Sequence, residues 1–318
     1  MRSFTKLATL LPLVLARPQA LGDGVSNLAR DYTTVLNFAK KVTVDPNGIV
    51  KNWNGTDVCQ FEGFTCTDNP FTGQRALAGV DLNGALLAGD RLTLGGFLDK
   101  LTDITFFHAN SNGFIGQIPD DLSSLHWLYE LDLSNNKLSG PFPSGVLTAT
   151  NLTFVDLRFN QFSGELPAEI FEMDLDVLFL NDNAFSGLIP DTIGSTPARY
   201  LTLANNKFQG RIPTTIGGAK NLEEVVLSGN QISSPLPAEL ASIKNLTLLD
   251  LSDNQLAGQV PEILCQIPTL QLFNVSNNFF SKPLGPACKE LLAKEILDVS
   301  TNCVEGAKDQ KTDCSGVY

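Results

Sequence analysis

Histidine and recognisable catalytic motifs are scarce in this sequence, and their scarcity removes several classes of function. Its 318 residues include only two histidines, His108 and His126. They contain no Gly-x-Ser-x-Gly, His-Glu-x-x-His or phosphate-loop motif. Acidic pairs such as Asp120-Asp121 and Glu223-Glu224 are adjacent in sequence, which does not obviously set two carboxylates across a cleft as glycoside hydrolysis requires. We therefore expect a protein without enzymatic activity, cofactor or catalytic metal.

Cysteine is absent from the whole middle of the chain. Cys59 and Cys66 lie near the start, and no cysteine follows until a group near the end. An even number without a Cys-x-x-Cys pair or a nearby histidine favours disulfides of a secreted protein over a metal site. The spacing suggests Cys59–Cys66, Cys265–Cys288 and Cys303–Cys314, although other pairings among the last four cysteines stay open.

Basic residues are outnumbered, with 22 Lys and Arg against 34 Asp and Glu and a formal net charge of −12. Such a surface repels nucleic acid and anionic polymers and favours basic partners. The few basic residues at the start, Arg2 and Lys6, precede an apolar run over residues 7–16 and then the small residues Ala16 and Ala20. This pattern predicts a secretory signal peptide within residues 1–20, cut after Ala16 or Ala20.

Long hydrophobic runs are also missing. The apolar run of the leader is too short to cross a bilayer, which takes about 20 residues, and no other stretch qualifies. The polar C-terminus does not favour a lipid-anchor tail. Extracellular localisation is therefore expected, and four glycosylation sequons support it. They begin at Asn54, Asn151, Asn245 and Asn274.

A repeat is present throughout the rest of the chain. From Leu128 the sequence follows Leu-x-x-Leu-x-Leu-x-x-Asn-x-Leu-x-Gly-x-Phe-Pro, and the frame recurs every 23 or 24 residues. A degenerate first copy at residues 77–82 has Ala85 in the asparagine position, giving about ten repeats over residues 77–302. The recurring asparagines are Asn112, Asn136, Asn160, Asn183, Asn206, Asn230, Asn254, Asn278 and Asn302.

Each repeat has a short strand with one buried face, because the two leucines of Leu-x-Leu alternate with outward positions. The asparagine amide can bond to backbone groups of neighbouring coils where the chain leaves the strand. One coil cannot bury its own apolar edge, so the coils must stack. The prediction is an α/β solenoid, a horseshoe with a concave parallel β-sheet and disulfide-clipped caps at residues 21–76 and 303–318. We expect a helical N-terminal cap over residues 27–53, with Leu28, Tyr32, Val35, Leu36 and Ala39 at helical spacing.

The outward strand positions form a candidate binding surface in the N-terminal half of the stack. Aromatic rings and charges alternate there, a composition typical of interface hot spots. Alternatively, Arg158 has a structural role alone, as the partner of Asp132, Asp156 or Asp182 in an ion pair. The aromatic residues could likewise only stack on one another, because a flat sheet tolerates them. Asp132 and Asp156 would lie roughly 5 Å apart by strand spacing, but on an open surface without a pocket. The candidate ligand-binding residues are Phe106, His108, Glu130, Asp132, Phe154, Asp156, Arg158, Phe179 and Tyr200.

The repeats and the Trp…Cys cap resemble those of plant-type extracellular leucine-rich repeat proteins. A closer resemblance is to the repeat domain of leucine-rich repeat extensins. It rests on Asn-Trp-Asn-Gly-Thr-Asp-Val-Cys (52–59), Ala-Gly-Val-Asp-Leu-Asn (78–83), Phe-His-Ala-Asn-Ser-Asn (107–112), Glu-Leu-Asp-Leu-Ser-Asn-Asn (130–136), Asp-Leu-Arg-Phe-Asn (156–160) and Asp-Leu-Asp-Val-Leu-Phe-Leu-Asn-Asp-Asn (174–183).

The resemblance implies an extracellular binding domain of the cell wall whose ligand is a protein or peptide, such as a small basic cysteine-rich signalling peptide. Extensins continue into a Ser-Pro-rich tail that fixes them in the wall, whereas this sequence ends at Tyr318, so covalent anchoring is not expected. The polygalacturonase-inhibiting proteins are more distant relatives and imply an alternative, the inhibition of a wall-degrading hydrolase. A structural wall component that contacts wall polymers is the third interpretation. The oligomeric state and the ligand's identity do not follow from the sequence.

Overall fold

The computed structural model describes residues 27–69, 72–312 and 314. The predicted leader at residues 1–20 lies outside this part of the chain. The α-helices are α1 (Asn27–Ala39), α2 (Ser144–Thr148) and α3 (Pro286–Ala293). Short 3₁₀ helices occupy Val50–Asn52, Val58–Gln60, Leu98–Lys100, Ala168–Glu172, Asp191–Ser195, Thr214–Gly218, Ala238–Ser242 and Leu264–Gln266.

The strands alternate along the chain between two sides of a coil. In chain order they are β1 (Phe64–Asp68), β2 (Arg75–Asp81), β3 (Phe106–His108), β4 (Ile115–Gly116), β5 (Glu130–Asp132), β6 (Lys137–Gly140), β7 (Phe154–Asp156), β8 (Gln161–Gly164), β9 (Val177–Phe179), β10 (Ala184–Leu188), β11 (Tyr200–Thr202), β12 (Lys207–Gly210), β13 (Glu224–Val226), β14 (Gln231–Ile232), β15 (Leu248–Asp250), β16 (Ala257–Gly258), β17 (Leu272–Asn274), β18 (Phe279–Phe280) and β19 (Leu297–Asp298).

The main sheet contains eleven strands in the order β1-β2-β3-β5-β7-β9-β11-β13-β15-β17-β19. From β2 onward each strand is parallel to its neighbour, and each belongs to one predicted repeat. Strand β1 pairs antiparallel with β2 and closes the sheet at the N-terminal cap. A second sheet, in the order β14-β12-β10-β8-β6-β4, lies on the return side of the coils. The predicted solenoid with a parallel sheet is confirmed.

The repeated asparagines form a ladder inside the turns. The Nδ2 group of Asn206 donates to the carbonyls of Leu180, Leu203 and Ala204 at 3.0–3.1 Å, and its Oδ1 accepts the backbone N–H of Phe185 at 3.0 Å. The same pattern recurs from Asn112 to Asn302. Because each amide joins its own coil to the preceding one, the ladder satisfies backbone groups that would otherwise be buried unpaired.

The residue immediately before each ladder asparagine has a left-handed backbone conformation. Positive φ occurs there at nine successive positions, with φ between 52° and 67°. Short polar residues and glycine tolerate this conformation best, because it brings the Cβ atom close to the carbonyl oxygen. The residues in this left-handed column are Ser111, Asn135, Phe159, Asp182, Asn205, Gly229, Asp253, Asn277 and Thr301.

Aromatic stacking holds the N-terminal cap on the first coils. Phe38 of α1 stacks on Phe97 with 3.9 Å between ring centroids, and Trp53 packs edge-on against Phe64. The expectation of a helix through Trp53 is wrong beyond Ala39. Pro46 removes a backbone donor and disfavours helix in the residue before it, while the N–H groups of Thr43 and Val44 bond instead to the carbonyl of Ala88.

Disulfides join cysteines at both ends of the described chain. The pairs are Cys59–Cys66, Cys265–Cys288 and Cys303–Cys314, with Cα atoms 5.0–5.8 Å apart. The structure thereby selects one of the connectivities left open by the spacing. Glu262 reinforces the C-terminal end, because its carboxylate accepts the N–H of Ala287 in the first turn of α3.

Candidate functional site

The register of the main sheet brings the predicted outward residues into two adjacent rows. One row runs through Phe106, Glu130, Phe154, Val177 and Tyr200. The second, two residues further along each strand, runs through Asp81, His108, Asp132, Asp156, Phe179 and Thr202. The sheet therefore places all the predicted ligand-binding residues in these two rows, apart from Arg158, which follows Asp156 by two positions.

Acidic side chains surround His108 at the N-terminal end of these rows. Its Nε2 lies 2.9 Å from Oε2 of Glu130, and both residues reach solvent. Burial alone would lower the pKa of His108, but the hydrogen bond and charge of Glu130, together with Asp132 and Asp81, raise it above the ordinary value of 6.5. Protonated His108 therefore offsets part of the negative charge of this acidic strip, which we define as Asp81, Glu130 and Asp132.

Asp132 is held in a fixed orientation by its neighbours. Its Oδ1 accepts hydrogen bonds from the backbone N–H and the hydroxyl of Ser134, at 3.0 and 2.7 Å. Its Oδ2 accepts from Nδ2 of Asn110 at 2.9 Å. These bonds leave the carboxylate half-buried and set its position before any ligand arrives, which lowers the entropy lost on binding.

Asp156 does not occupy the exposed position predicted for it. Its side chain is only 1% exposed, and its Oδ2 lies 3.0 Å from Nε of Arg158. Burial raises the pKa of Asp156 to about 7, although the charge of Arg158 opposes this rise. The guanidinium of Arg158 also lies 5.2 Å from the ring centroid of Phe179. Asp156 therefore positions Arg158 against that ring, and it does not form an accessible carboxylate pair with Asp132.

The aromatic rings of the two rows are half-buried and contact one another. Phe106 lies 5.0 Å from the ring of His108, and Phe154 meets Phe179 edge-on at 6.3 Å. The ring of Phe106 also covers Gly79 of the neighbouring strand, where a Cβ would come within 2.2 Å of it. These rings both shield the sheet and present apolar surface to solvent.

Tyr200 belongs to a polar cluster that the outward strand positions alone do not predict. Its hydroxyl donates to Oε2 of Glu223 at 3.2 Å, and the guanidinium of Arg199 lies 5.2 Å from its ring centroid. Arg199 forms a bidentate ion pair with Asp176, in which Nε donates to Oδ1 at 2.7 Å and Nη2 donates to Oδ2 at 2.9 Å. Burial, followed by the charge of Glu223, raises the pKa of Tyr200. Arg199, Asp176 and Glu223 directly precede strand residues, so counting only strand positions overlooks them.

The four sequons differ in their placement. Asn54, Asn151 and Asn245 are exposed outside the main sheet's two rows. Asn274 ends β17 in the same row as Asp250 and Asp298 and is half-buried. A glycan on Asn274 would cover the C-terminal part of that row, while the N-terminal part would stay open.

A groove that the sequence did not indicate lies beyond the ends of three successive strands. It has a volume of about 390 Å³ and is open to solvent. Two residues from each of three repeats line it: Asn110, Ser111, Ser134, Asn135, Arg158 and Phe159. Phe159 is 49% exposed. The one signal for this groove in the sequence is an aromatic residue in the column position that elsewhere holds small or polar residues.

Metal and membrane sites can be assessed only within residues 27–69, 72–312 and 314. There, no group of three or more His, Cys, Asp or Glu side chains is placed to hold a metal ion. The same part of the chain contains no helix with the length and apolar character needed to cross a bilayer.

Family models match separate parts of the chain. The leucine rich repeat N-terminal domain matches residues 28–67, and leucine rich repeat models match residues 127–148, 151–173 and 196–256. Leucine-rich repeat extensin-like protein 1 of Arabidopsis thaliana is 35% identical over 155 residues, which cover 48% of this chain. The alignment covers 20% of that relative, so the chain spans about a fifth of its length.

Solved structures share the fold. The leucine-rich repeat ectodomain of the Arabidopsis thaliana receptor kinase GASSHO1/SCHENGEN3, in complex with CASPARIAN STRIP INTEGRITY FACTOR 2, superposes with a TM-score of 0.70 at 24% identity over 85% of this chain and 36% of its own. The Arabidopsis receptor kinase HAESA, in complex with the peptide hormone IDA and the co-receptor SERK1, gives 0.67 at 24% identity over 86% of this chain and 50% of its own. The chain is thus a leucine-rich repeat solenoid, similar in sequence to the repeat region of the leucine-rich repeat extensin-like proteins.

Proposed function

We propose that this protein is an extracellular binding module that captures a basic peptide or protein on the N-terminal half of its main sheet. The observation that carries the proposal is the acidic strip beside the rings of Phe106 and Phe154. Carboxylates next to half-exposed aromatics offer a cationic ligand both charge attraction and apolar contact. Within the two rows, the strip faces one cationic partner, His108, whose charge is lost as the pH rises.

The extracellular assignment is supported by independent features. The predicted leader, the four sequons and the three disulfides are all consistent with an oxidising, secretory route. The relatives named for extensins support a cell-wall setting. The complex of the HAESA horseshoe with a peptide hormone is a precedent for peptide capture by this fold. In this proposal the protein acts by binding alone.

A charge reversal in the acidic strip tests the proposal. Binding of synthetic basic, cysteine-rich peptides would be measured by calorimetry for Asp132→Lys and for Asp298→Lys. Asp298 is a matched control, since it occupies the same row in β19 and likewise accepts the N–H of the residue two positions later. We expect at least a tenfold loss of affinity for Asp132→Lys, less than a twofold change for the control, and weaker wild-type binding at high salt.

The alternatives give different results in this experiment and in an enzyme-inhibition assay. Equal affinity of both variants and the wild type would refute the acidic strip as the binding site. Inhibition of a polygalacturonase by the purified wild type, unchanged by Asp132→Lys, would instead support a hydrolase inhibitor. If none of the basic, cysteine-rich peptides and no hydrolase binds, a structural role in the wall is favoured.

A further inference from the structure

Phe159 is the exception in the left-handed column. The other eight residues of that column are Ser, Asn, Asp, Gly or Thr, whereas Phe159 adopts φ 55° with a bulky ring. A bulky residue in this conformation is a genuine outlier, because the side chain crowds the backbone. Phe159 also leaves 49% of its surface in water. The left-handed backbone is therefore strained at Phe159, and about half of the residue's surface contributes no burial to offset that strain.

The neighbouring column residues show what the position ordinarily does for the fold. Nδ2 of Asn135 donates to the hydroxyl of Ser111 at 3.0 Å, and Nδ2 of Asn205 donates to Oδ1 of Asp182 at 2.9 Å. These bonds link one coil to the preceding one along the rim. A phenyl ring cannot donate or accept such bonds, so Phe159 interrupts the series between Asn135 and Asp182. Strained backbone of this kind is enriched at sites that contact ligands.

The chemistry around the ring limits what that ligand can be. Beside Phe159 the groove is lined by the amides of Asn110 and Asn135, the hydroxyls of Ser111 and Ser134, and Arg158. No carboxylate belongs to this lining, and the guanidinium of Arg158 is fixed by Asp156 at 3.0 Å. A cationic ligand would meet Arg158, and a polyanion would be repelled by a chain of net charge −12. An apolar ligand would cover the amide oxygens of Asn110 and Asn135, which accept no hydrogen bond from the described residues, and it would not replace their bonds to water.

We propose that this groove binds a neutral polysaccharide, with one pyranose ring stacked on Phe159. The C–H face of a pyranose is apolar and matches the ring, while its hydroxyls both donate and accept, as the amides and hydroxyls of the lining do. The volume of about 390 Å³ lies at the lower end of the range for small-ligand sites, about 300–1,000 Å³. Because the groove is open to solvent, a longer glycan can extend beyond it.

This site is distinct from the peptide site, although Asp132 of the acidic strip accepts hydrogen bonds from Asn110 and Ser134 of the groove. The groove follows the C-terminal ends of β3, β5 and β7, whereas the acidic strip and Phe106 lie within the strands themselves. Arg158 is the one residue that belongs to both the groove and the predicted peptide surface. The protein could therefore hold a wall glycan at the rim and a basic peptide on the sheet.

Phe159→Asn tests the proposal, because it restores the residue type common in the column. We expect the melting temperature to stay constant or rise, since asparagine tolerates positive φ, while affinity for the bound glycan falls at least tenfold. Cellohexaose, mannohexaose and a xyloglucan oligosaccharide would serve as probes in calorimetric titrations, with oligogalacturonate as the charged counterpart. Leu188→Asn is a matched control, because Leu188 is an exposed apolar residue on the second sheet, 62% exposed.

The outcomes separate clearly. Binding of a neutral glycan that is lost in Phe159→Asn, kept in Leu188→Asn and kept in Phe159→Trp supports the site. Three results would overturn it: no neutral probe binds at millimolar concentration, Phe159→Asn binds as tightly as the wild type, or oligogalacturonate binds more tightly than every neutral probe. A retained affinity of Phe159→Asn for basic peptides shows that the two sites are separate.

Discussion

The ring of Phe106 lies directly over Gly79 in the neighbouring strand, where a Cβ atom would come within 2.2 Å of the ring. Glycine at this position is therefore what lets an aromatic side chain lie flat on the sheet. Two residues on adjacent strands, Gly79 and Phe106, jointly define the N-terminal end of the candidate peptide surface.

Gly79→Ala should weaken peptide binding with little effect on stability. The added Cβ forces the Phe106 ring off the sheet and away from His108, at a cost of about 1 kcal/mol that the gain in strand propensity partly offsets. Titration of a basic peptide and a melting curve would measure both effects. Gly95→Ala is the control, because a Cβ there meets no atom within 4 Å. Undiminished affinity of Gly79→Ala would rule out Phe106 as a contact residue.

Stability should be greatest in mild acid and should fall as the pH rises from about 4 to about 7. Asp31 of α1 is buried, like Asp156. Burial raises the pKa of Asp31 to about 6 and that of Asp156 to about 7. Both groups bind protons more tightly in the folded state than in the unfolded state, so deprotonation favours unfolding over this window. Protonation of His108 also stabilises the folded state, and this contribution is lost as the pH rises through its raised pKa.

Urea unfolding at pH 4.5 and pH 7.5 measures this dependence, and the loss is expected to be on the order of a few kcal/mol. Asp156→Asn should reduce the difference between the two pH values, because the buried group no longer ionises. A free energy of unfolding that increases over this range would contradict the assignment of Asp31 and Asp156 as buried acids.

Affinity for a basic peptide should increase as the pH rises through the pKa of His108. Loss of its proton removes the positive charge that faces Glu130, Asp132 and Asp81. Asp156, with a pKa of about 7, also ionises near neutral pH, so the His108→Gln variant is needed to isolate the histidine. Calorimetry between pH 5.5 and pH 8 should show a smaller pH dependence for His108→Gln. An identical profile for both proteins would exclude His108 as the source.

Asn206→Ala should be strongly destabilising, whereas Asn205→Gly should be nearly neutral. The first change removes one amide that serves three carbonyls and the N–H of Phe185, at a cost of roughly 3 kcal/mol or more. The second removes one exposed hydrogen bond to Asp182, worth about 1 kcal/mol or less, at a column position where glycine is free of strain. Hydrogen exchange should show the loss of protection concentrated in the coils next to Asn206, because each coil contacts its neighbours. Equal stability of the two variants would exclude the ladder as the main support of the coil.

The ladder could be predicted from the sequence because its spacing is regular and its chemistry is local. The step of 23 or 24 residues places every asparagine from Asn112 to Asn302 in the same part of the coil, and the structure confirms the backbone bonds expected of it. The end of α1 could not be predicted in the same way. Leu36 and Ala39 continue the helical spacing, but Pro46 and the pairing of Val44 with Ala88 direct the following residues elsewhere.

Alternation of strand positions predicts the candidate surface, and that rule treats every outward residue alike. It places Phe106, Glu130 and Asp132 correctly at the solvent-facing side of the sheet. It is wrong for the exposure of Asp156, because Arg158 lies two residues later and packs between Asp156 and the Phe179 ring. Such a contact depends on the length and direction of the side chains, and the alternation of inward and outward strand positions does not predict either. Phe159 lies just past the end of β7, where the alternation of strand positions no longer applies.

The asparagine ladder also has a consequence for the kinetics of recognition. Since the amides satisfy the backbone of every coil from inside, the spacing of the strands does not depend on what occupies the outer face. A ligand then meets a surface that is already formed, and no segment of the coil has to rearrange before contact. Capture should therefore occur at a rate governed by diffusion and by the attraction of the acidic strip, and differences between related ligands should appear in how long each one stays bound.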